Sequence, residues 1–168
     1  MKRIGLISDT HNFLDEAVFR HFENCDEIWH AGDLGTAKIA DALSAFRPLR
    51  GVYGNIDGND IRSAFPESLA WQCEGVKVLM LHIGGYPPKY NPAARLLLQQ
   101  HKPQLFISGH SHILKVVYDD KINCLHMNPG AAGNHGWHKV RTLIRFVVDG
   151  SNMTNCEIVE LGSRSSMG

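Results

Sequence analysis

Five short polar clusters, each lying directly behind a run of apolar residues, constrain this chain more than any other feature. Ile4-Gly5-Leu6-Ile7 leads into Ser8-Asp9-Thr10-His11, and Glu27-Ile28-Trp29-His30-Ala31 leads into Gly32-Asp33. Leu49 to Tyr53 is followed by Gly54-Asn55, Val76 to Leu81 by His82, and Leu105-Phe106-Ile107 by Ser108-Gly109-His110-Ser111-His112. Apolar runs of this length with polar boundaries read as buried strands. Helical spacing separates them: Leu14, Val18 and Phe22 around Asp15, then Ile39, Leu43 and Phe46 behind Thr36. A third helix is marked by Asn91 as N-cap, Pro92 at the first helical position and Pro103 beyond the end. Strands that alternate with helices bring their ends, and with them the polar clusters, to one crevice.

From Ile113 onward the pattern changes to strands joined by tight turns. Val116 to Tyr118, Ile122 to Leu125, Thr142 to Val148 and Cys156 to Leu161 read as strands, with Asp119-Asp120 and Asp149-Gly150 as turns. An alternating first half and an antiparallel second half are reconciled in one α/β core by two stacked mixed sheets with helices outside. A chain of 168 residues with 43% hydrophobic content suits one such domain, expected over 1–162, with 163–168 as a disordered tail.

Lys+Arg and Asp+Glu both number 17, so no uniform basic field gathers nucleic acid or anionic lipid. No apolar run approaches the roughly 18 to 20 residues of a membrane span, and the first residues lack the pattern of a signal peptide. Cys25, Cys73, Cys124 and Cys156 are scattered and read as small buried hydrophobes with reduced thiols, which points to a cytoplasmic protein.

The clusters carry only oxygen and imidazole donors: Asp9, His11, Asp33, Asn55, His82, His110 and His112. Such a mixture suits divalent ions of intermediate character, and the lack of cysteine argues against a structural zinc site. In extended backbone Asp9 and His11, two apart, face one way, although a turn behind the strand alters that rule. His110 and His112 are candidates for two different metals. Singly each cluster is weak evidence, since Gly-Asp and Gly-Asn are ordinary turn chemistry; in order, all behind strands, they form one constellation.

The ordered set Asp9-x-His11, Gly32-Asp33, Gly54-Asn55-Ile56-Asp57, His82 and Gly109-His110-x-His112 resembles the calcineurin-like metallophosphoesterase superfamily. Small size, the G-N-x-D form and Asn128-Pro129-Gly130 make the chain similar to the YfcE-type group of small bacterial phosphodiesterases. The resemblance implies a four-layer α-β-β-α sandwich. It implies two divalent ions, manganese first among manganese, iron, zinc, nickel and cobalt. One ion falls to Asp9, His11, Asp33 and His112, the other to Asp33, Asn55, His82 and His110, with Asp33 shared and Asp33, Asn55 and His82 nearest the chemistry. The reaction it implies is in-line attack of a metal-bridging hydroxide on a small phosphate ester, most readily a diester.

Where the superfamily ordinarily has a histidine thought to protonate the leaving group, this chain has Ile56, which cannot donate a proton. Asp57 is a candidate to orient a ligating imidazole or to cap a turn, and His30 to support the ligands or simply pack. Asn12 and Asn128 are candidate substrate contacts. His126, His135 and His138 flank a glycine-rich stretch that could border the pocket. Two other functions remain open: a protein-interaction scaffold of the retromer-subunit type, and a nuclease. Self-association into a homo-oligomer is also open.

Overall fold

The apolar runs assemble into two five-stranded mixed sheets in a computed structural model that describes residues 1–165. In chain order the first elements are β1 (Lys2–Ile7), α1 (Ala17–His21), β2 (Glu27–His30), α2 (Ala37–Phe46), β3 (Leu49–Gly51) and α3 (Asn59–Arg62). Then come β4 (Ser68–Cys73), β5 (Val76–Leu81), β6 (Gly85–Tyr86), β7 (Lys89–Tyr90), α4 (Pro92–His101) and β8 (Leu105–Ile107). The last are β9 (Leu114–Asp119), β10 (Cys124–Pro129), β11 (Val140–Asp149) and β12 (Asn152–Ser163). One sheet has the order β12-β11-β1-β2-β3 and the other β4-β5-β8-β10-β9, while β6 and β7 form a separate ribbon.

Parallel pairing of β1 with β2 and β2 with β3 puts three of the polar clusters at one edge of the first sheet. Parallel pairing of β5 with β8 does the same for His82 and the histidine pair behind β8 in the second. The antiparallel strands lie outside these: β11 and β12 beside β1, β4 beside β5, and β9 beside β10.

Three apolar clusters define the layers. Leu6, Trp29, Met80, Ile107 and Phe146 fill the space between the sheets, with the Trp29 ring edge-on to Trp71 at 4.9 Å. Val18, Phe22, Ile39 and Leu43 press α1 and α2 onto the outer face of the first sheet, and Ala94 and Leu98 press α4 onto Leu79 and Phe106 of the second. The result is the expected α-β-β-α order. Burying each large side chain contributes roughly 1.5–3 kcal/mol, so the two sheets are held mainly by their shared filling.

Local chemistry sets the helix ends. Asn91 caps α4 as expected, its Oδ1 accepting from the Ala93 amide at 3.1 Å. Thr36 occupies the N-cap of α2, but its side chain makes no cap bond; Asp60 of α3 accepts from the Ala37 amide at 2.8 Å instead. Strand β10 begins at Cys124, and Ile122 lies exposed in the preceding turn. Cys156 corrects the expectation of four buried thiols: it projects from the edge strand β12 into solvent, while the other three are buried. Strand β12 extends through Ser163, and Arg164 bonds to the carbonyls of Lys139 and His138. The end of the expected tail, 166–168, lies outside the described residues. No helix among the described residues is long and apolar enough to cross a membrane.

His126 is not in a loop bordering a pocket. It sits in β10, fully buried between the rings of Tyr86 and Phe106, with neither ring nitrogen in a hydrogen bond. Burial pushes its pKa down to about 4. A depressed histidine stabilises the fold above its unfolded pKa near 6.5, and that contribution is lost as pH falls toward 4. Between pH 7 and 4.5, wild type is therefore expected to lose about 2 to 3 kcal/mol more stability than His126→Phe, read as urea midpoints at both pH values.

Candidate metal centre

The turns behind β1, β2 and β8 place their donors in a backbone conformation that side chains rarely adopt. Asp9, His11, Asp33, His110 and His112 all have positive φ, between 46° and 70°. The extended-strand rule for Asp9 and His11 therefore does not describe the site: the chain has left the strand and turns at each donor. Left-handed non-glycine residues cost of order 1–3 kcal/mol each and persist only where the surroundings impose them.

Each carboxylate has one oxygen pinned and one turned inward. Asp9 Oδ2 accepts from Ser8 Oγ at 2.7 Å and from the His110 amide at 3.0 Å, while its Oδ1 faces His112 Nε2 at 3.1 Å. Asp33 Oδ1 accepts from the Ile56 amide at 3.1 Å, while its Oδ2 faces His11 Nε2 at 3.3 Å and His82 Nε2 at 3.2 Å. Neither His11 Nε2 nor His82 Nε2 reaches hydrogen-bond geometry, although both are buried. His82 Nδ1 donates to the Ala31 carbonyl at 2.7 Å, which fixes the ring with Nε2 directed at the carboxylates. His110 Nδ1 lies 3.0 Å from Asn55 Oδ1.

Two trios result, each compact enough for one ion: Asp9, His11 and His112, and Asp33, His82 and His110. The two histidines of the last cluster thus go to different trios. Burial works against charge on both carboxylates, yet His11, His112 and His82 hold Asp9 well below the usual carboxylate range, and His11 and His82 do so for Asp33. Against the same burial, Asp33 and Asp9 push His11 up to about 9 and raise His82. His110 is shifted the other way, down, by burial and the neighbouring His82. Buried carboxylates held ionised, each with one oxygen turned inward, beside two buried imidazole nitrogens, His11 Nε2 and His82 Nε2, that lack hydrogen bonds, form a site that demands positive charge. Its donor set fits divalent cations.

Glycine at two cluster positions is a packing requirement. A Cβ on Gly54 would overlap Asp33 Oδ1 and its amide, and one on Gly109 would overlap Ser8 Oγ and Asp9 Oδ2. The pairs Gly-Asn and Gly-His therefore mark where one ligand loop crosses another.

The supporting residues act through backbone. Asp57 holds no imidazole; it accepts from the amides of Leu34 at 3.2 Å, Gly35 at 2.9 Å and Gly54 at 2.9 Å, tying the Asp33 loop to the Asn55 loop. His30, buried and held down at about 4 by that burial, accepts from the Gly32 amide and donates from Nε2 to Thr10 Oγ1, bridging the first two clusters. Asn128 donates to the Gly109 carbonyl, Ser111 Oγ and Tyr86 and accepts from the Gly130 amide, which orders the loop carrying both histidines. Asn12 accepts from Thr36 Oγ1 at 2.6 Å beside His11. His135 stacks on His11 with 4.9 Å between centroids, and His138 stands edge-on to His112. A larger cavity, about 690 Å³ between α4 and the β9–β10 turn, contains none of these donors.

Ser8, the Ala31 carbonyl and the Tyr86–Ser111 contact carried no signal in sequence; only their place beside the clusters hinted at them. Asp57→Ala leaves three amides without an acceptor, at about 1–3 kcal/mol for each buried one. The variant is expected to lose roughly 3 kcal/mol in urea unfolding and to bind divalent ions more weakly in titration calorimetry, because both ligand loops are freed.

A family model for the calcineurin-like phosphoesterase superfamily domain matches residues 1–151. A probable metallophosphoesterase of Methanocaldococcus jannaschii is 33% identical over 134 residues, covering 76% of this chain and 67% of that protein. Among solved structures, zinc-complexed Vps29 of Entamoeba histolytica aligns with a TM-score of 0.74 at 17% identity, covering 94% of this chain and 98% of that one. An archaeal phosphodiesterase aligns with a TM-score of 0.75 at 18% identity, covering 95% and 99%. At those identities the two structures share the fold. The match over 1–151, with every motif of the set in order, places this chain in the calcineurin-like phosphoesterase superfamily.

Proposed function

We propose that the protein hydrolyses phosphate esters, preferentially diesters, with two divalent ions held by Asp9, His11, Asp33, Asn55, His82, His110 and His112. The observation that carries this reading is the inward pair of carboxylate oxygens, Asp9 Oδ1 and Asp33 Oδ2, facing three imidazole nitrogens. When bound, two such ions supply an activated water and neutralise charge on the phosphoryl group. Asp33 Oδ2, 3.3 Å from His11 Nε2 and 3.2 Å from His82 Nε2, serves both trios in this reading. Asp9 and Asp33 set the charge balance, and His82, locked by Ala31, presents one fixed nitrogen. Asn55, exposed beside His110, is the neutral donor nearest solvent and so nearest an arriving ester. The mixed oxygen and imidazole set favours manganese, with iron, zinc, nickel and cobalt as substitutes.

Activity on a panel of phosphomonoesters, diesters and cyclic nucleotides is expected to fall to background after chelation and to return with added manganese. Full turnover in metal-free buffer, with no metal found by elemental analysis, rules the reading out. Likeness in fold to Vps29 leaves a partner-binding role as the second reading. Substantial metal content together with turnover favours the enzyme; metal-free, inert protein favours the scaffold. A net charge of zero gives a nuclease no long-range field for a polyanion.

A further inference from the structure

Two concavities border the centre, and each carries an isoleucine that the fold leaves in solvent. One, about 350 Å³, adjoins His11 and is lined by Asn12, Thr36, Ile56 and His135. The other, about 300 Å³, adjoins Asn55 and His82 and is lined by Tyr53, Arg62 and Ile83. Ile56 is 46% exposed and Ile83 36% exposed, and each directly follows a donor residue in the chain. Scattered exposed isoleucines are ordinary, but each of these shares a concavity with a planar ring, His135 in one and Tyr53 in the other. The second wall is stiffened: the Arg62 guanidinium lies 4.5 Å over the Tyr53 ring and bonds to the carbonyls of Asp57 and Asn55.

Resting on the phosphoesterase reading, we propose that these concavities receive the two ester groups of a phosphodiester and that both groups are planar or apolar. One lies against Ile56 and His135, the other against Ile83 and Tyr53. The first concavity touches the trio containing His11, the second the trio containing His82, so a phosphoryl group between the trios directs one ester group to each side. A monoester leaves one concavity filled with water, and small alkyl groups leave both. A few polar groups beside an apolar wall orient a ligand while the wall supplies affinity, which is the division of labour in small-molecule sites.

The test uses metal-loaded protein and two diesters of equal charge, diphenyl phosphate and methyl phenyl phosphate. Affinity is read by calorimetry, and kcat/KM with the corresponding nitrophenyl esters. Diphenyl phosphate is expected to bind about tenfold more tightly, the gain from covering one further ring. Ile56→Ser and Ile83→Ser make the same change in the two concavities. Each is expected to weaken diphenyl phosphate roughly fivefold, while only one of them weakens methyl phenyl phosphate, whose single ring needs a single wall. Equal affinity for the two esters, or both variants acting alike on both, overturns the two-sided site even where hydrolysis stands. Protein that hydrolyses nothing with any divalent ion, yet shows this binding pattern, overturns the activity and retains the site. Thermal melts confirm that both surface variants are folded.

Discussion

Asp33→Ala is expected to lower kcat/KM for any accepted ester by at least about a thousandfold, the scale of losing a principal electrostatic element of an active site. Among the described residues its Oδ2 is the one carboxylate oxygen within 3.3 Å of imidazole nitrogens from both trios, so its removal disturbs both at once. The loss has two origins that separate experimentally. Alanine removes a donor, so bound metal per chain should fall in elemental analysis. It also removes the acceptor for the Ile56 amide, which loosens the Asn55 turn. Asp33→Asn keeps the shape and the amide bond while removing the charge. Asparagine should therefore melt like wild type but still lose most of its metal and activity. Within the apo protein, both variants should also let His11 titrate nearer its ordinary range, since Asp33 leads Asp9 in raising it. If Asp33→Asn keeps both metal content and a substantial fraction of wild-type turnover, Asp33 does not bridge and the two-ion arrangement is wrong.

The clustering of six of the candidate donors was legible in the sequence because it is chemical: few side chains suit divalent ions, and Asp9, His11, Asp33, His82, His110 and His112 each follow a strand and come together in two trios. Sheet architecture was legible for a similar reason, since the buried parts of β1, β2, β5 and β8, among them residues 4–7, 78–81 and 105–107, are short mostly apolar stretches that end at the polar clusters. Strand β4 was not, because Ser68-Leu69-Ala70-Trp71-Gln72 covers only one face at a sheet edge and its alternation is diluted by small polar residues. Helix α3 is a single turn, below the length at which periodicity is visible, yet its Asp60 caps α2 in place of Thr36. The site's supports were equally hidden. Asp57 serves backbone amides of another loop, and His30 joins Thr10 to Gly32; nothing local to either residue states which distant amide it meets. His126 shows the converse: a histidine two residues from Asn128 is buried in the second sheet between the rings of Tyr86 and Phe106.

A steep dependence on the leaving group is the other large effect expected. The position that ordinarily supplies an acid is Ile56, whose side chain is apolar and half exposed and whose amide is committed to Asp33. Without a proton donor, negative charge builds on the departing oxygen in the transition state, and the rate follows that oxygen's basicity. Aryl diesters should exceed alkyl diesters by a large part of the roughly 10²–10⁴-fold that a general acid commonly contributes. Ile56→His restores an imidazole at the edge of the concavity shared with His11 and His135. It is expected to raise kcat/KM for alkyl esters by about one to two powers of ten and to leave kcat for aryl esters nearly unchanged, because aryl oxides depart without help, with any loss of the Ile56 wall appearing in KM. The measurement is kcat/KM across a leaving-group series in both proteins at fixed metal. A flat series in wild type means that a proton already reaches the leaving oxygen. His135, which lines that concavity and is not among the proposed metal donors, is then the donor to remove, and His135→Ala should convert the flat series into a steep one.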